Sequence, residues 1–179
     1  MSYTQLIFFK NRVADSAIEY QNSWGGTAMI WTVLFDRYCT KKHQYDGWHD
    51  QESAKQLWAL TSNKDIPLSY RAALAFTYDN AYVSKKNKER FIQDLNKFRE
   101  DFKFETLGKV NHLKTWIKDI EEHLKDEYTD IALYSTSVCE NPWMPWDSEN
   151  EEGLFVNLEE NEDNKYWEIY EELDNESED

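Results

Sequence analysis

The sequence predicts an α+β fold: a small mixed β-sheet with about four helices packed on it, and an acidic C-terminal segment ending in an amphipathic helix. Three observations carry this. Hydrophobic residues make up 40% of the 179 positions and aromatics 16%, enough for a packed core. Only five glycines and three prolines occur, which disfavours an all-β chain built on tight turns. Strand-like and helix-like segments follow one another as β-β-α-α-β-α-α-β, the order expected of helices laid on a sheet.

The elements are read from the N-terminus. "YTQLIFF" is rich in strand formers, "NRVAD" turns, and "SAIEYQN" alternates Ala17 and Glu19 with Ile18 and Tyr20, so a hairpin is expected. The glycine pair Gly25 and Gly26 breaks the strand, and Ser23 or Thr27 caps a first helix with Trp31, Leu34, Phe35 and Tyr38 on one face. Residues 40–50 read as a loop. Asp50 caps a second helix with Ala54, Leu57 and Trp58 inward, and 61–68 break it. "YRAALAFTYD" reads as a strand, because Leu74, Phe76 and Tyr78 alternate with Ala73, Ala75 and Thr77. Ser84 caps a third helix over about 85–102 with Phe91, Ile92, Leu95, Phe98 and Phe102 inward. A fourth, over about 106–125, carries Val110, Leu113, Ile117, Ile120 and Leu124, and "TDIALYSTSV" closes the body as a strand.

Pro142 and Pro145 mark a boundary between a globular unit, 1–146, and an acidic appendage, 147–179. The appendage holds 15 acids and one base, leaving 20 acids and 19 bases in the body, so it carries nearly all of the net charge of −15. In it "GLFVNLEE" reads as extended. Tyr166, Ile169, Tyr170 and Leu173 then fall at i, i+3, i+4, i+7, a stripe that has to dock on the body or on a partner.

Several function classes lose ground. No apolar run approaches the roughly 20 residues of a membrane-spanning helix, and "MSYTQLIFFKNR" lacks a signal-peptide pattern. Two cysteines, Cys39 and Cys139, make no disulfide framework, which suits a reducing cytoplasm. The charge opposes direct nucleic-acid binding. "SWGGT" before a helix lacks the ending of a nucleotide-phosphate loop. Cys39, His43, His49 and Asp50 fit no zinc spacing. His112 and His123 share a helix without an acidic or cysteine partner evident from spacing. No catalytic residue, metal or cofactor is expected.

"EYQNSWGGTAMIW", "FTYDNAYV" and "STSVCENPW" resemble segments of a family of small tailed-bacteriophage and prophage proteins without an established activity. The resemblance implies work inside an infected bacterial cell. The expected function is a non-enzymatic inhibitor, of the anti-CRISPR or anti-restriction class, that sets acidic surface against the basic groove of a host nucleic-acid-processing protein. The contact acids are Glu151, Glu152, Glu159, Glu160, Glu162, Asp163, Glu168, Glu171 and Glu172, with Trp143, Trp146, Trp167 and Tyr170 as anchors. Reversing Glu168, Glu171 and Glu172 to Lys is expected to weaken that contact with little effect on folding. The alternative is a small enzyme or ligand-binding domain with a polar cleft at Asp79, Thr136 and Asn141, which strand ends would bring together.

Overall fold

The computed structural model describes residues 3–21, 24–39, 51–103, 112–125, 127–135, 141–147, 149 and 152–175. The N-terminal pair is the expected hairpin: β1 (Tyr3–Lys10) runs antiparallel to β2 (Val13–Gln21). Its turn is tighter than "NRVAD" suggested. Only Asn11 and Arg12 lie in it, with φ of 49° and 65°, a left-handed pair that matches strand twist. Residues 13–15 therefore join β2.

Helix α1 (Trp24–Tyr38) takes both glycines inside its first turn, so they do not break the chain and Thr27 is not a cap. A Cβ on Gly26 would sit 2.9 Å from the Cβ of His112 and 3.0 Å from the Trp116 ring. The glycine is there for close helix approach, not for a turn. Helix α2 (Gln51–Trp58) buries Leu57 and Ser53.

The next segment corrects the sequence reading. Residues expected as a strand form helix α3 (Leu68–Ala75), in which residues 69–75 are all buried. A helix enclosed on every side has no polar face, so its periodicity is erased and alternation appears by chance. The strand is the following tetrapeptide, β3 (Ala81–Ser84), buried along its length. Ser84 caps nothing with its side chain. A 3₁₀ turn (Lys85–Asn87) intervenes before α4 (Lys88–Asp101), whose buried face is Phe91, Ile92, Leu95 and Phe98. Helix α5 (His112–His123) buries Leu113, Trp116, Ile117 and Ile120. Val110 lies outside the described residues.

Strand β4 (Asp130–Tyr134) is the sheet centre, antiparallel to β1 on one side and β3 on the other. After a small antiparallel pair, β5 (Trp146–Asp147) and β6 (Glu152–Gly153), comes β7 (Trp167–Glu168), parallel to β3. The order is β2-β1-β4-β3-β7, a mixed sheet. Helix α6 (Ile169–Asn175) follows at once. The expected amphipathic helix is thus present, but Tyr166 and Trp167 precede it, and residues 167–168 are strand.

Alternation along the sheet separates two cores. Leu6, Phe8, Val83, Ile131 and Leu133 face the helices. Ile7, Phe9, Tyr82, Ala132 and Tyr134 face the other way, onto Trp143 and Leu158, with Met144, Val156 and Tyr166 at the margin. The segments around Trp143 and Met144 and from Val156 to Tyr166 are therefore the second cover of the sheet. Backbone bonds pin them there: Ala14 N–H donates to Val156 O and Leu158 N–H to Arg12 O, both at 2.8 Å. Among the described helices none is long and apolar enough to cross a membrane.

Candidate functional site: an acidic cleft over the last strand

Strand β7 is short and lies at the edge of the sheet, so the loops around it leave a groove. The cleft over it has a volume of about 520 Å³, and Tyr82, Tyr166, Trp167, Glu171, Glu172 and Asn161 line it. A smaller hollow of about 220 Å³ shares Asn161 and Tyr166 and is lined by Glu160, Glu162 and Asp163. The acids of the 158–163 turn and those of α6 thus border adjoining hollows, although residues 164–170 separate Asp163 from Glu171.

The turn is fixed locally. Asn157 Oδ1 accepts from Glu159 N–H at 3.0 Å and its amide donates to Glu160 at 2.9 Å. Asn161 clamps the chain beyond it, exchanging bonds with the backbone N–H and C=O of Tyr166. On α6, Glu171 pairs with Lys86 and Asp174 takes a two-pronged bond from Arg90 at 2.7 and 2.8 Å. Glu160, Glu162, Asp163 and Glu172 form no ion pair among the described residues and are exposed. Lys165 is the cation nearest the turn in sequence, with its ammonium 5.1 Å from the Tyr166 ring centre. The face is therefore strongly negative, with aromatic surface at its floor.

Several residues expected as exposed contacts are instead wholly or partly buried. Glu168 is 4% exposed and is an interior bracket rather than a contact acid. Its Oε1 accepts from Ser84 N–H and Oγ–H at 3.0 Å and from the Asn87 amide at 2.9 Å. Its Oε2 accepts from Tyr170 and Glu171 N–H at 2.8 Å, capping α6. Trp143 is fully buried, edge-on to Phe9 at 5.5 Å and against Tyr166 at 4.7 Å. Tyr170 is buried too. Its hydroxyl donates to Asp94 at 2.7 Å, and burial pushes its ionisation far above the usual tyrosine range. Trp167 is half-buried beside Tyr78, its indole N–H held by Asn80. Glu159 is exposed on the turn. Glu151 lies outside the described residues, as do the side chains of Trp146 and Glu152.

The exposed apolar residues are ones the sequence reading did not pick: Leu154 at 46% and Phe155 at 54%. They leave β6 just before the acidic turn. "GLFV" carried the signal, since four apolar or small residues in an acidic stretch have to face either a core or a partner.

Of the residues of the alternative cleft, Asp79 and Asn141 are held by different partners. Asp79 accepts from Ser135 N–H at 3.4 Å, and burial raises its pKa. Asn141 instead donates to Gln5 at 2.8 Å and accepts from Trp143 N–H, which is turn chemistry on another strand. Thr136 lies outside the described residues. Compared with protein-family models, curated proteins and solved structures, the chain matches none.

Proposed function

We propose that the chain is a non-enzymatic binding protein that presents its acidic face to the basic, nucleic-acid-binding surface of another protein and competes there with the polyanion. On the resemblance to phage proteins, the target is a host defence or nucleic-acid-processing protein. The observation that supports this reading is the joined pair of hollows around Asn161 and Tyr166, edged by carboxylates from two chain segments. Carboxylates held on a folded frame lose little freedom on binding and act as fixed stand-ins for phosphates. Leu154 and Phe155 supply the apolar part that electrostatics alone lacks. The bonds that hold Glu168 and Tyr170 belong to the frame, so Glu160, Glu162, Asp163 and Glu172 are the contact acids and Glu171 joins them by releasing Lys86.

The test is affinity capture from bacterial lysate with the parent and with a Glu162→Lys, Asp163→Lys, Glu172→Lys variant, followed by mass spectrometry. The parent is expected to hold a protein that the variant loses, and added duplex DNA or raised salt is expected to displace it. Capture that ignores both charge reversal and DNA refutes the reading.

A further inference from the structure

The last turn of α5 carries three metal-ligating side chains: Asp119, Glu122 and His123. One carboxylate oxygen from each acid and one imidazole nitrogen lie within 4.8 Å of one another. Positions i, i+3 and i+4 are neighbours on a helix surface, so one turn gathers the whole set. His123 thus has two acidic partners on its own helical turn, which the sequence reading did not pick out. We propose that Asp119, Glu122 and His123 bind a divalent transition-metal ion of the zinc type.

The donor set argues for that class. One nitrogen and two carboxylate oxygens suit zinc, nickel or cobalt, whereas an all-oxygen set would suit magnesium or calcium. Bonds of about 2.0–2.2 Å hold adjacent ligands roughly 3 Å apart. Glu122 and His123 are exposed, so ordinary rotamer adjustment closes the remaining gap. Three protein ligands leave further positions to water or to a group from elsewhere.

The surroundings orient the set. The Tyr20 hydroxyl of β2 donates to Asp119 at 2.6 Å, which fixes that carboxylate while leaving it other lone pairs. Supporting bonds of this kind are usual behind metal ligands. The His123 ring lies against Phe8, with centres 5.9 Å apart. Lys118 competes for Glu122, but at 3.7 Å, with both side chains more than half exposed, that pair is weak and yields to a divalent ion. The C-terminal end of a helix also favours positive charge. The Lys88 ammonium already takes the carbonyls of Glu121 and Leu124, so the ion is held by side chains alone. None of these residues lines the acidic cleft, so the proposal stands apart from the function proposed above.

The experiment uses the full chain, stripped with chelator and titrated with zinc chloride in a calorimeter. Saturation at one ion per chain is expected, with a rise in Tm that chelator reverses. His123→Gln and Asp119→Asn are expected to weaken binding at least about tenfold, and Tyr20→Phe, as a positioning residue, about tenfold. Circular dichroism checks that each variant is folded. A second readout needs no variant: substoichiometric cobalt should broaden the nuclear magnetic resonance signals of Tyr20 and residues 119–123 before any others. Absence of saturable binding up to millimolar zinc overturns the proposal. So does parent-like binding by His123→Gln, which would assign the ion to His43, His49 or His112, or first broadening elsewhere.

Discussion

Replacing Glu168 by glutamine tests whether an acid in the most charged part of the chain holds the fold together. The carboxylate accepts five hydrogen bonds, three on Oε1 and two on Oε2. Glutamine keeps one acceptor. Its oxygen should turn to the fixed N–H groups of Tyr170 and Glu171, which places its amide against the backbone N–H of Ser84. The Ser84 hydroxyl rotates and the Asn87 amide flips, but the Ser84 N–H has no such freedom. One buried donor without an acceptor costs about 1–3 kcal/mol, and turning charge-assisted bonds into neutral ones costs about 1 kcal/mol more. Relief of the repulsion between Glu168 and buried Asp130 offsets part of this. The net expectation is a loss of about 2–3 kcal/mol, or roughly 4–12 °C in Tm for a chain of this size. Urea denaturation followed by tryptophan fluorescence measures it, with Glu172→Gln, exposed and without an ion pair, as the control near zero. If Glu168→Gln unfolds within about 0.5 kcal/mol of the parent, the bracket is not structural and the reasoning fails. The same geometry corrects the expectation that Glu168 tolerates reversal to lysine.

Four further outcomes are expected. Ile169→Asp puts an unpaired charge at a fully buried position and should cost about 2–4 kcal/mol in the same urea assay. Gly26→Ala gains helix propensity but drives a methyl into His112 and Trp116, so a net loss of about 1–2 kcal/mol is expected by thermal melting. Burial pushes Tyr78 up to about 12 and raises Tyr20 and Tyr170 further. The folded state therefore keeps protons that the unfolded chain releases above about pH 10, and stability falls as pH rises from there. Absorbance near 295 nm should show these tyrosines ionising only with unfolding. Asp130, raised by burial against the pull of Thr129 and Arg12, favours the protonated form in the fold, so it contributes stability at low pH that is lost as pH rises through its folded pKa. A smaller loss of stability between mildly acidic and neutral pH in Asp130→Asn than in the parent would confirm this.

The hairpin, α4 and α5 were legible because each is half-exposed and its apolar residues keep a clean period. Helix α3 was not, since a segment buried all round shows no contrast between faces. The two glycines of α1 pointed to a break because a turn is the commoner reason for glycine, whereas at Gly26 the reason is the close approach of α5, far along the chain. The excess of charge after residue 146 was plain, yet charge does not say which acids face inward. Glu168 gives no local signal, since serine, threonine, aspartate and asparagine are the usual caps. Its partners Ser84 and Asn87 are brought to it only by the pairing of β7 with β3. Trp143 and Tyr170 were equally undecidable: large aromatics serve cores and contact surfaces alike.

The parallel pairing of β7 with β3 has a consequence for synthesis. During translation, the N-terminal hairpin, α3, α4 and β4 emerge while the last strand is still inside the ribosome. The apolar edge of β3, the N–H of Ser84 and the seat for Ile169 and Leu173 then have no occupant. The fold reaches its final state only once β7 and α6 have left the ribosome, by closing a loop of more than eighty residues. Such long-range closure is slow compared with local helix formation. The chain thus passes through a nearly complete but unsealed form, with an open sheet edge of the kind that invites mispairing. A truncation before Trp167 would trap it in that form and deliver it to chaperones and proteases, although most of the helices would already be in place.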